Sequence, residues 1–305
     1  EENLCKTGHN FYSLPIGKTW DTDYAPVPDN YHIINTIPDY VDFDLILTHT
    51  SCDRMFKAHQ LLSGSDVNEG NKTGIPILRH THVLPDVRFD VPSQVTAFQQ
   101  YPRDKDSFIS AYNMAQWGAA DASFVEHGVD IDFWKPDENI ERDNACLSVV
   151  NDWPNRDWCC GFNLWKQTVQ GLPVKVFGKS PGFSEPASSR HHLREIYQSS
   201  RIFYNTSLHS PVPSVLLEAM SCGCAVVSTN NCMIPEVIQN GKNGLVSNDP
   251  QELRGFLELL LKDHDLAKEL GDNARKTIKE RYSLERFVNS WNALLHSTVN
   301  EYRNK

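Results

Sequence analysis

TSLHSPVPSVLLEAMSCGCAVVSTNNCMIPEVIQNGKNGLV, residues 206–246, is the stretch whose reading decides the fold. Within it, SPVPSVLLEAMSCGCAVVS (210–228) places one glutamate in an otherwise apolar helical run, with Val226 and Val227 opening a strand just beyond. Ser214 suits the N-cap of a helix starting at Val215, because its hydroxyl can accept from an orphan amide. Gly223 suits the stop. The helix follows an expected strand (201–207) through a loop that holds Pro211 and Pro213. The amides of its first turn, around Ser214, Val215 and Leu216, are then open to an anion that the helix dipole favours, and phosphate is the obvious candidate. Glu218 lies one turn further in, within reach of hydroxyls attached to such a phosphate. The competing reading is an ordinary strand–loop–helix unit that holds nothing.

Working outward, strand and helix alternate on both sides of this stretch. In the first half, FDLILTH (43–49) and IPILRHTH (75–82) read as strands, with a polar helical segment at 53–63 between them. SFISAYNMAQWG (107–118) reads as a helix and ASFVEHG (122–128) as a short strand. In the second half, strands are expected at 145–150, 173–178 and 201–207, and helices at 162–169 and 188–200. PEVIQNGKNGLVS (235–247) reads as helix, turn and strand. Three helices with apolar residues at three- and four-residue spacing complete the chain, over 252–264, 265–282 and 284–304. A βαβ alternation implies parallel sheets covered by helices. The polar segment 130–144 divides the halves, so the expected domains are 1–133 and 134–283, with 284–305 as a terminal helix. The fold class is α/β, two Rossmann-like domains in tandem, with ligands expected outside the strands' carboxyl ends and in the cleft between the domains.

Composition sets the outer bounds. The chain has 305 residues, 40% of them hydrophobic, and a formal net charge of -10. That balance argues against a nucleic-acid partner and against a broad anionic membrane surface. No apolar run reaches the roughly 18 residues of a transmembrane span. No secretory leader is visible, and the chain begins at Glu1 rather than Met. The eight cysteines lack zinc-finger spacing. They read as reduced, mostly buried thiols of a cytoplasmic protein.

The stretch 206–246 resembles the donor-binding signature of the GT-B glycosyltransferases of family 4, the retaining, nucleotide-sugar-dependent class. VEHGVDIDFWKP (125–136) is similar to that family's interdomain segment. The resemblance runs from about residue 43 to 300, dense in the second half and thin in the first. It implies a GT-B fold, here with a short or truncated N-terminal domain on the acceptor side, and a last helix that crosses back onto it. TGHNFYSLP (7–15) is similar to the family's second strand; the preceding strand, Gly-rich loop and helix are expected to be absent or cut.

What the resemblance implies for the site is taken residue by residue. Of the family's two donor-bracketing glutamates, Glu218 corresponds to the second, which binds the nucleotide ribose. The first, which contacts the transferred sugar, falls on Ser210. Serine hydrogen-bonds but carries no charge and reaches less far; the alternative is a loop residue with no donor contact. Pro213, Ser214, Val215 and Leu216 form the phosphate-binding helix start. The family's Arg and Lys for the diphosphate fall within NDWPNRDWCCGFNLW (151–165): one alignment puts Arg156 near the arginine and Cys160 at the lysine, another puts Arg156 at the lysine. Arg156 could grip two phosphate oxygens with its planar fork, or simply pair with Asp152 or Asp157. Gly178 and Lys179, in VFGKSPG, lie where the family's loop approaches the nucleotide, and Lys179 could supply the missing charge. His82 matches the histidine beside the donor sugar, with a structural histidine as the alternative. His80 is assigned to the opposite strand face from His82. A His-x-His metal site is the weaker reading, since the two imidazoles would diverge and no third ligand is apparent. His127 and Gly128 are expected to shape a hinge turn, with Gly128 at positive φ, and Tyr282 and Trp291 to pack.

The implied function is transfer of a sugar from a UDP- or GDP-sugar to an unidentified glycan, lipid-linked or small-molecule acceptor. Transfer is with retention, without metal or other cofactor. Helix amides and Arg156 would stabilise the departing diphosphate. Ser210 and Cys160 keep a second expectation alongside: a non-catalytic GT-B scaffold that binds a nucleotide, a glycan or a partner subunit. A third, another GT-B enzyme such as a sugar-nucleotide epimerase, would require more acid/base side chains than the sequence places.

Overall fold

A computed structural model describes residues 2–14, 20, 22, 25–49 and 73–305. The polar helical segment expected at 53–63 lies outside the described residues, as does Cys52. The chain divides into two units: Glu1–Gly128 with Glu285–Lys305, and Val129–Leu284.

Unit 1 begins with α1 (Glu2–Cys5), β1 (Phe11–Ser13) and β2 (Tyr31–Ile33), the two strands forming a small parallel sheet. A second parallel sheet has the order β3 (Ile46–His49), β4 (Ile77–Thr81), β5 (Lys105–Phe108), β6 (Ser123–Phe124). Helix α2 (Val91–Gln100) starts at Asp90, whose side chain accepts from the Ser93 amide. Residues 105–108 correct the reading of 107–118 as one helix. Phe108 pairs with Thr81 in the sheet and is fully buried, and the helix, α3 (Ala111–Gln116), starts only after Ser110. Strand pairing and burial outweigh local propensity there.

Beneath β4, the buried Arg79 guanidinium meets Asp106 at 2.7 Å and lies 3.4 Å over the Phe98 ring. The closing helix α11 (Leu284–Arg303) packs Trp291, Leu294 and Leu295 against Leu4, Leu78 and Val125, all within unit 1. Gly128 is a second correction: it is not at positive φ. A Cβ there would lie 2.5 Å from Phe287 Cβ, so glycine is required by close packing against α11.

Unit 2 is built on a five-stranded parallel sheet ordered β11 (Leu245–Val246), β10 (Ala225–Ser228), β9 (Ser200–Asn205), β7 (Asp143–Val149), β8 (Val174–Phe177). The chain lays β8 on one side of β7 and β9 on the other, so the topological switch lies between β7 and β9. Its helices are α4 (Asp157–Cys160), α5 (Phe162–Thr168), α6 (Arg190–Gln198), α7 (Ser214–Ser221), α8 (Ile234–Val237), α9 (Pro250–Lys262) and α10 (His264–Arg281). Both α9 and α10 are capped by aspartates, Asp249 and Asp263, and bury Leu253, Leu257 and Leu260 on α9 and Leu270 on α10. The core includes Trp153, Ile202, Tyr204 and Val227 on the sheet side and Leu253, Leu257 and Leu270 on these helices. No helix among the described residues is long and apolar enough to cross a membrane.

Two helical glycines separate propensity from packing. In α9, a Cβ added to exposed Gly255 meets nothing within 4 Å; in α10, one added to Gly271 lies 2.2 Å from the Gly223 carbonyl oxygen. Gly255→Ala is expected to stabilise by about 0.5–1 kcal/mol. Gly271→Ala is expected to destabilise by about 1–3 kcal/mol, despite alanine's better propensity. Urea unfolding of the two variants tests the opposite signs.

Candidate active site

The loops leaving β7 and β9 at the switch point are tied to each other through two carbonyls. Cys160 O accepts from Thr206 Oγ1 at 2.8 Å and from Trp153 Nε1 at 2.9 Å. Cys159 O accepts from the amides of Leu208 and His209 at 2.9 and 3.1 Å. Gly161, at φ 66°, lets the strands come this close, since a Cβ would sit 2.2 Å from Thr206 O. Trp153 is fully buried and anchors the β7 loop from beneath.

The same loop is tied to the one after β8. The Lys179 amide donates to Asn151 Oδ1 at 2.7 Å, the Asp152 amide to Lys179 O at 2.8 Å, and the Trp153 amide to Ser180 Oγ at 3.0 Å. Gly178, at φ 121°, would place a Cβ 2.2 Å from Val150 O. Arg156 donates to the Asn151 carbonyl at 3.3 Å. Arg156 and Lys179 are therefore both held to Asn151, and both are exposed. Neither forms an ion pair among the described residues. The expected alternative partners of Arg156 are engaged elsewhere, Asp152 with Asn155 and Asp157 with Asn163. Cys160, by contrast, is buried, and its thiol is held protonated by its contact with Cys159 and by burial. It contributes no charge at the lysine position.

On the β9 side, α7 starts one residue earlier than expected. Pro213 takes the cap position at φ -65° and ψ 133°, Ser214 is the first helical residue, and no side chain caps the helix. Proline fixes the extended turn that a serine cap would otherwise have set. The amides of Ser214 and Val215 find no acceptor among the described residues. Ser214 is exposed, Pro213 and Val215 are half-buried, and Leu216 is fully buried, anchoring the helix. Gly223 ends the helix in the left-handed region as expected. Ser210 lies half-buried in the loop ahead of this turn.

Glu218 faces α6. Tyr197 Oη donates to its Oε2 at 3.3 Å. Burial raises its carboxyl to about 7, against the Tyr197 hydrogen bond and the Arg190 charge, which both act to lower it. Arg190 in turn stacks over Phe133 at 4.3 Å. Asn151, Tyr197 and Arg190 escaped the sequence reading. Only the position of Asn151, just past an expected strand, could have pointed to it; the other two are located by α6 packing on β9.

His82 belongs to unit 1, exposed just past the end of β4. The assignment of His80 to the other face is corrected: residues two apart on a strand share a face. The rings of His80 and His82 stack at 6.3 Å, and His49 at the end of β3 lies 5.9 and 5.7 Å from them. His80 is buried against Trp291, and burial, then His49, His82 and His127, keep it well below its ordinary pKa. Burial, then His82, lowers His127 to about 4. Among the described residues no group of three His, Cys, Asp or Glu side chains is arranged to hold a metal ion.

The raised carboxyl of Glu218 has a definite sign in stability. The folded state holds this proton more tightly than the unfolded chain, so its stabilising contribution is complete below about pH 4.5. It is lost as pH rises to about 7. Glu218→Gln is expected to flatten that slope, making the variant more stable than the parent above pH 7 by on the order of 2 kcal/mol. Denaturant titrations at pH 5 and pH 8 measure the difference.

Residues 184–277 match the family model described as Glycosyl transferases group 1. The chain is 33% identical over 163 residues to the N-acetyl-alpha-D-glucosaminyl L-malate synthase of Bacillus anthracis, a match covering 53% of this chain and 40% of that protein. It is 32% identical over 121 residues to the alpha-maltose-1-phosphate synthase of Mycolicibacterium smegmatis, covering 37% of this chain and 30% of that one. The matches thus span less than half the length of these relatives. In three dimensions, the crystal structure of Anabaena HepE in complex with UDP-glucose superposes with a TM-score of 0.67 at 16% identity, over 83% of this chain and 79% of that one. Residues 184–277 belong to the glycosyl transferases group 1 family, and the chain has the GT-B fold of these glycosyltransferases.

Proposed function

We propose that this chain transfers a sugar from a nucleoside diphosphate donor, UDP- or GDP-linked, to an acceptor, with retention at the anomeric carbon and without a metal ion. The observation that carries the reading is the uncapped first turn of α7 at the switch point, with Glu218 one turn deeper, together with two exposed cations held to Asn151 on the loops after β7 and β8. The family segment and the UDP-glucose held by the similarly folded HepE support it.

The chemistry follows from charge. When the glycosidic bond to the diphosphate breaks, negative charge grows on the leaving oxygens. The Ser214 and Val215 amides, Arg156 and Lys179 would meet that charge; one well-aimed donor is worth about 3 kcal/mol. Glu218, when ionised, accepts from the ribose hydroxyls. His82 is assigned beside the transferred sugar by the resemblance, and the leaving phosphate takes the acceptor's proton on the same face, which gives retention. Ser210 stands where the resemblance expects a glutamate on the sugar, so it shapes donor choice.

A second reading, a non-catalytic scaffold that binds the nucleotide, draws on two particulars: the uncharged Ser210 and the buried Cys160 at the expected lysine. A panel of UDP- and GDP-sugars, with EDTA present, separates the two. Thermal stabilisation together with release of free nucleotide is expected, and stabilisation without release under any acceptor condition would establish the scaffold. The anomeric proton coupling of the product reads the stereochemistry. Glu218→Ala is expected to weaken binding of the nucleotide at least about tenfold, about 1.4 kcal/mol. In the parent, affinity should rise between pH 6 and pH 8 as the Glu218 carboxyl ionises near 7. Unchanged nucleotide binding in that variant, measured calorimetrically, would remove Glu218 from the donor site.

A further inference from the structure

We propose that Phe133 and Trp134, near the start of unit 2, are positioning residues for nucleotide binding: their rings hold Arg190 and Tyr197 of α6 against Glu218, and so set how tightly, and at what pH, a nucleotide is bound. This role rests on the reading of Glu218 as the ribose ligand. Neither ring is assigned a contact with the nucleotide itself.

The two rings grip one face of α6. Phe133 and Trp134 stand perpendicular to each other, with centroids 4.8 Å apart. Arg190 lies 4.3 Å over Phe133 and 5.5 Å over Trp134, and Arg194 lies 4.7 Å over Phe133. Tyr197 meets Trp134 edge-on at 5.7 Å. Positions 190, 194 and 197 fall on one stripe of a helix, so a single pair of rings reaches both ends of α6. At one end, the negative face of the ring holds the Arg190 cation. At the other, the fully buried Tyr197 is held with its hydroxyl 3.3 Å from Glu218 Oε2.

The rings are themselves fixed from the other side. Ser221, three residues beyond Glu218 on α7, donates its hydroxyl to Trp134 O at 2.5 Å. Arg275 of α10 donates to the same carbonyl at 3.2 Å and also to Ser221 O. Gln198 Nε2 donates to Lys135 O at 2.7 Å. The segment thus braces α6 through its rings and α7 through its backbone, and Glu218 lies where the two braced helices meet. The groups that face Glu218 are few. From α6 come Tyr197 and Arg190; from the end of α7 comes the Cys222 thiol, which feels the Glu218 charge; from β9, Phe203 packs on Tyr197. Arg142 and Arg275 flank Cys222, but their guanidiniums are directed at the carbonyls of Ser200, Cys222 and Ser221. The cation that favours the ionised Glu218, against burial, is Arg190. Released from the ring, its guanidinium would turn to solvent, where its charge is screened. Glu218 would then ionise only at higher pH, and a neutral carboxyl is the weaker acceptor for ribose hydroxyls.

The test is calorimetric titration with UDP and with GDP across the neutral range, in the parent, Phe133→Leu and Phe133→Tyr. Leucine keeps apolar bulk without a π face; tyrosine keeps the face. Phe133→Leu is expected to bind roughly tenfold more weakly than the parent near pH 6, with the gap closing by about pH 9, as for a carboxyl whose pKa rises by about one unit. Phe133→Tyr is expected to follow the parent within about twofold. A loss of equal size at every pH, or no loss, overturns the proposal, because a packing defect does not follow the ionisation of Glu218. A carboxyl ¹³C titration of Glu218 without nucleotide reads the same shift directly, and equal midpoints in the parent and Phe133→Leu also overturn it. Glu218→Gln, measured alongside, separates this role from the donor-site reading. If Glu218→Gln keeps the parent's affinity, the ribose reading fails and the role of Phe133 fails with it. If Glu218→Gln loses affinity while Phe133→Leu keeps the parent's profile, the ribose reading stands and the role of Phe133 alone is overturned.

Discussion

The carbonyls of Cys159 and Cys160 are the constraint on which the candidate site depends. Between them they accept four hydrogen bonds, two from the β9 loop amides, one from Thr206 and one from the buried Trp153. Three of these bonds join the loops on the two sides of the switch point, the Trp153 bond braces the β7 loop itself, and Gly161 makes the approach sterically possible. A neutral hydrogen bond contributes only about 1 kcal/mol net. Three such bonds between the loops, on a dipeptide braced by a fully buried tryptophan, are enough to hold the two loops in a single register. The position of Arg156 relative to the α7 start follows from that register, and so does the adjacent position of Lys179 through Asn151.

Charge is distributed to match. The chain as a whole carries -10, yet the loops at the carboxyl edge of the unit 2 sheet carry two exposed cations as well as an uncapped helix turn. A basic spot on an acidic surface favours a small anionic ligand over a long polyanion. Glu218 sits just behind this spot, and its raised carboxyl shows that burial there outweighs the nearby Arg190. A buried carboxyl near neutrality is a common mark of functional sites, where binding energy can offset the cost of desolvation.

Much of the unit 2 architecture was legible because its signals are local. Strands 143–149 and 200–205 are apolar runs, α7 ends at Gly223, and α9, α10 and α11 show helical periodicity. Unit 1 was less legible. Helix 91–100 has few apolar residues to mark its face, and strand 105–108 is drawn into the sheet by β4 rather than by its own propensity. The start of α7 lies one residue ahead of the serine-cap signal because a proline can hold the cap conformation without offering a side-chain acceptor. Gly128 answers not to a backbone requirement but to a phenylalanine 159 residues away in the chain, Phe287.

The sequence by itself determined the α/β class, the strand–helix–strand segment over 206–246, and Glu218 and Arg156 as candidate site residues. Residue type, spacing and short-range periodicity suffice for these, since they act within one helix, strand or loop. Tertiary structure alone decided which cations meet at Asn151, that Cys160 faces the core, that His49, His80 and His82 gather at one sheet edge, and that burial, opposed by Tyr197 and Arg190, sets the ionisation of Glu218. Each of these depends on the crossing of segments tens of residues apart, where burial and distance, not sequence neighbours, set the energy of a charge or a hydrogen bond.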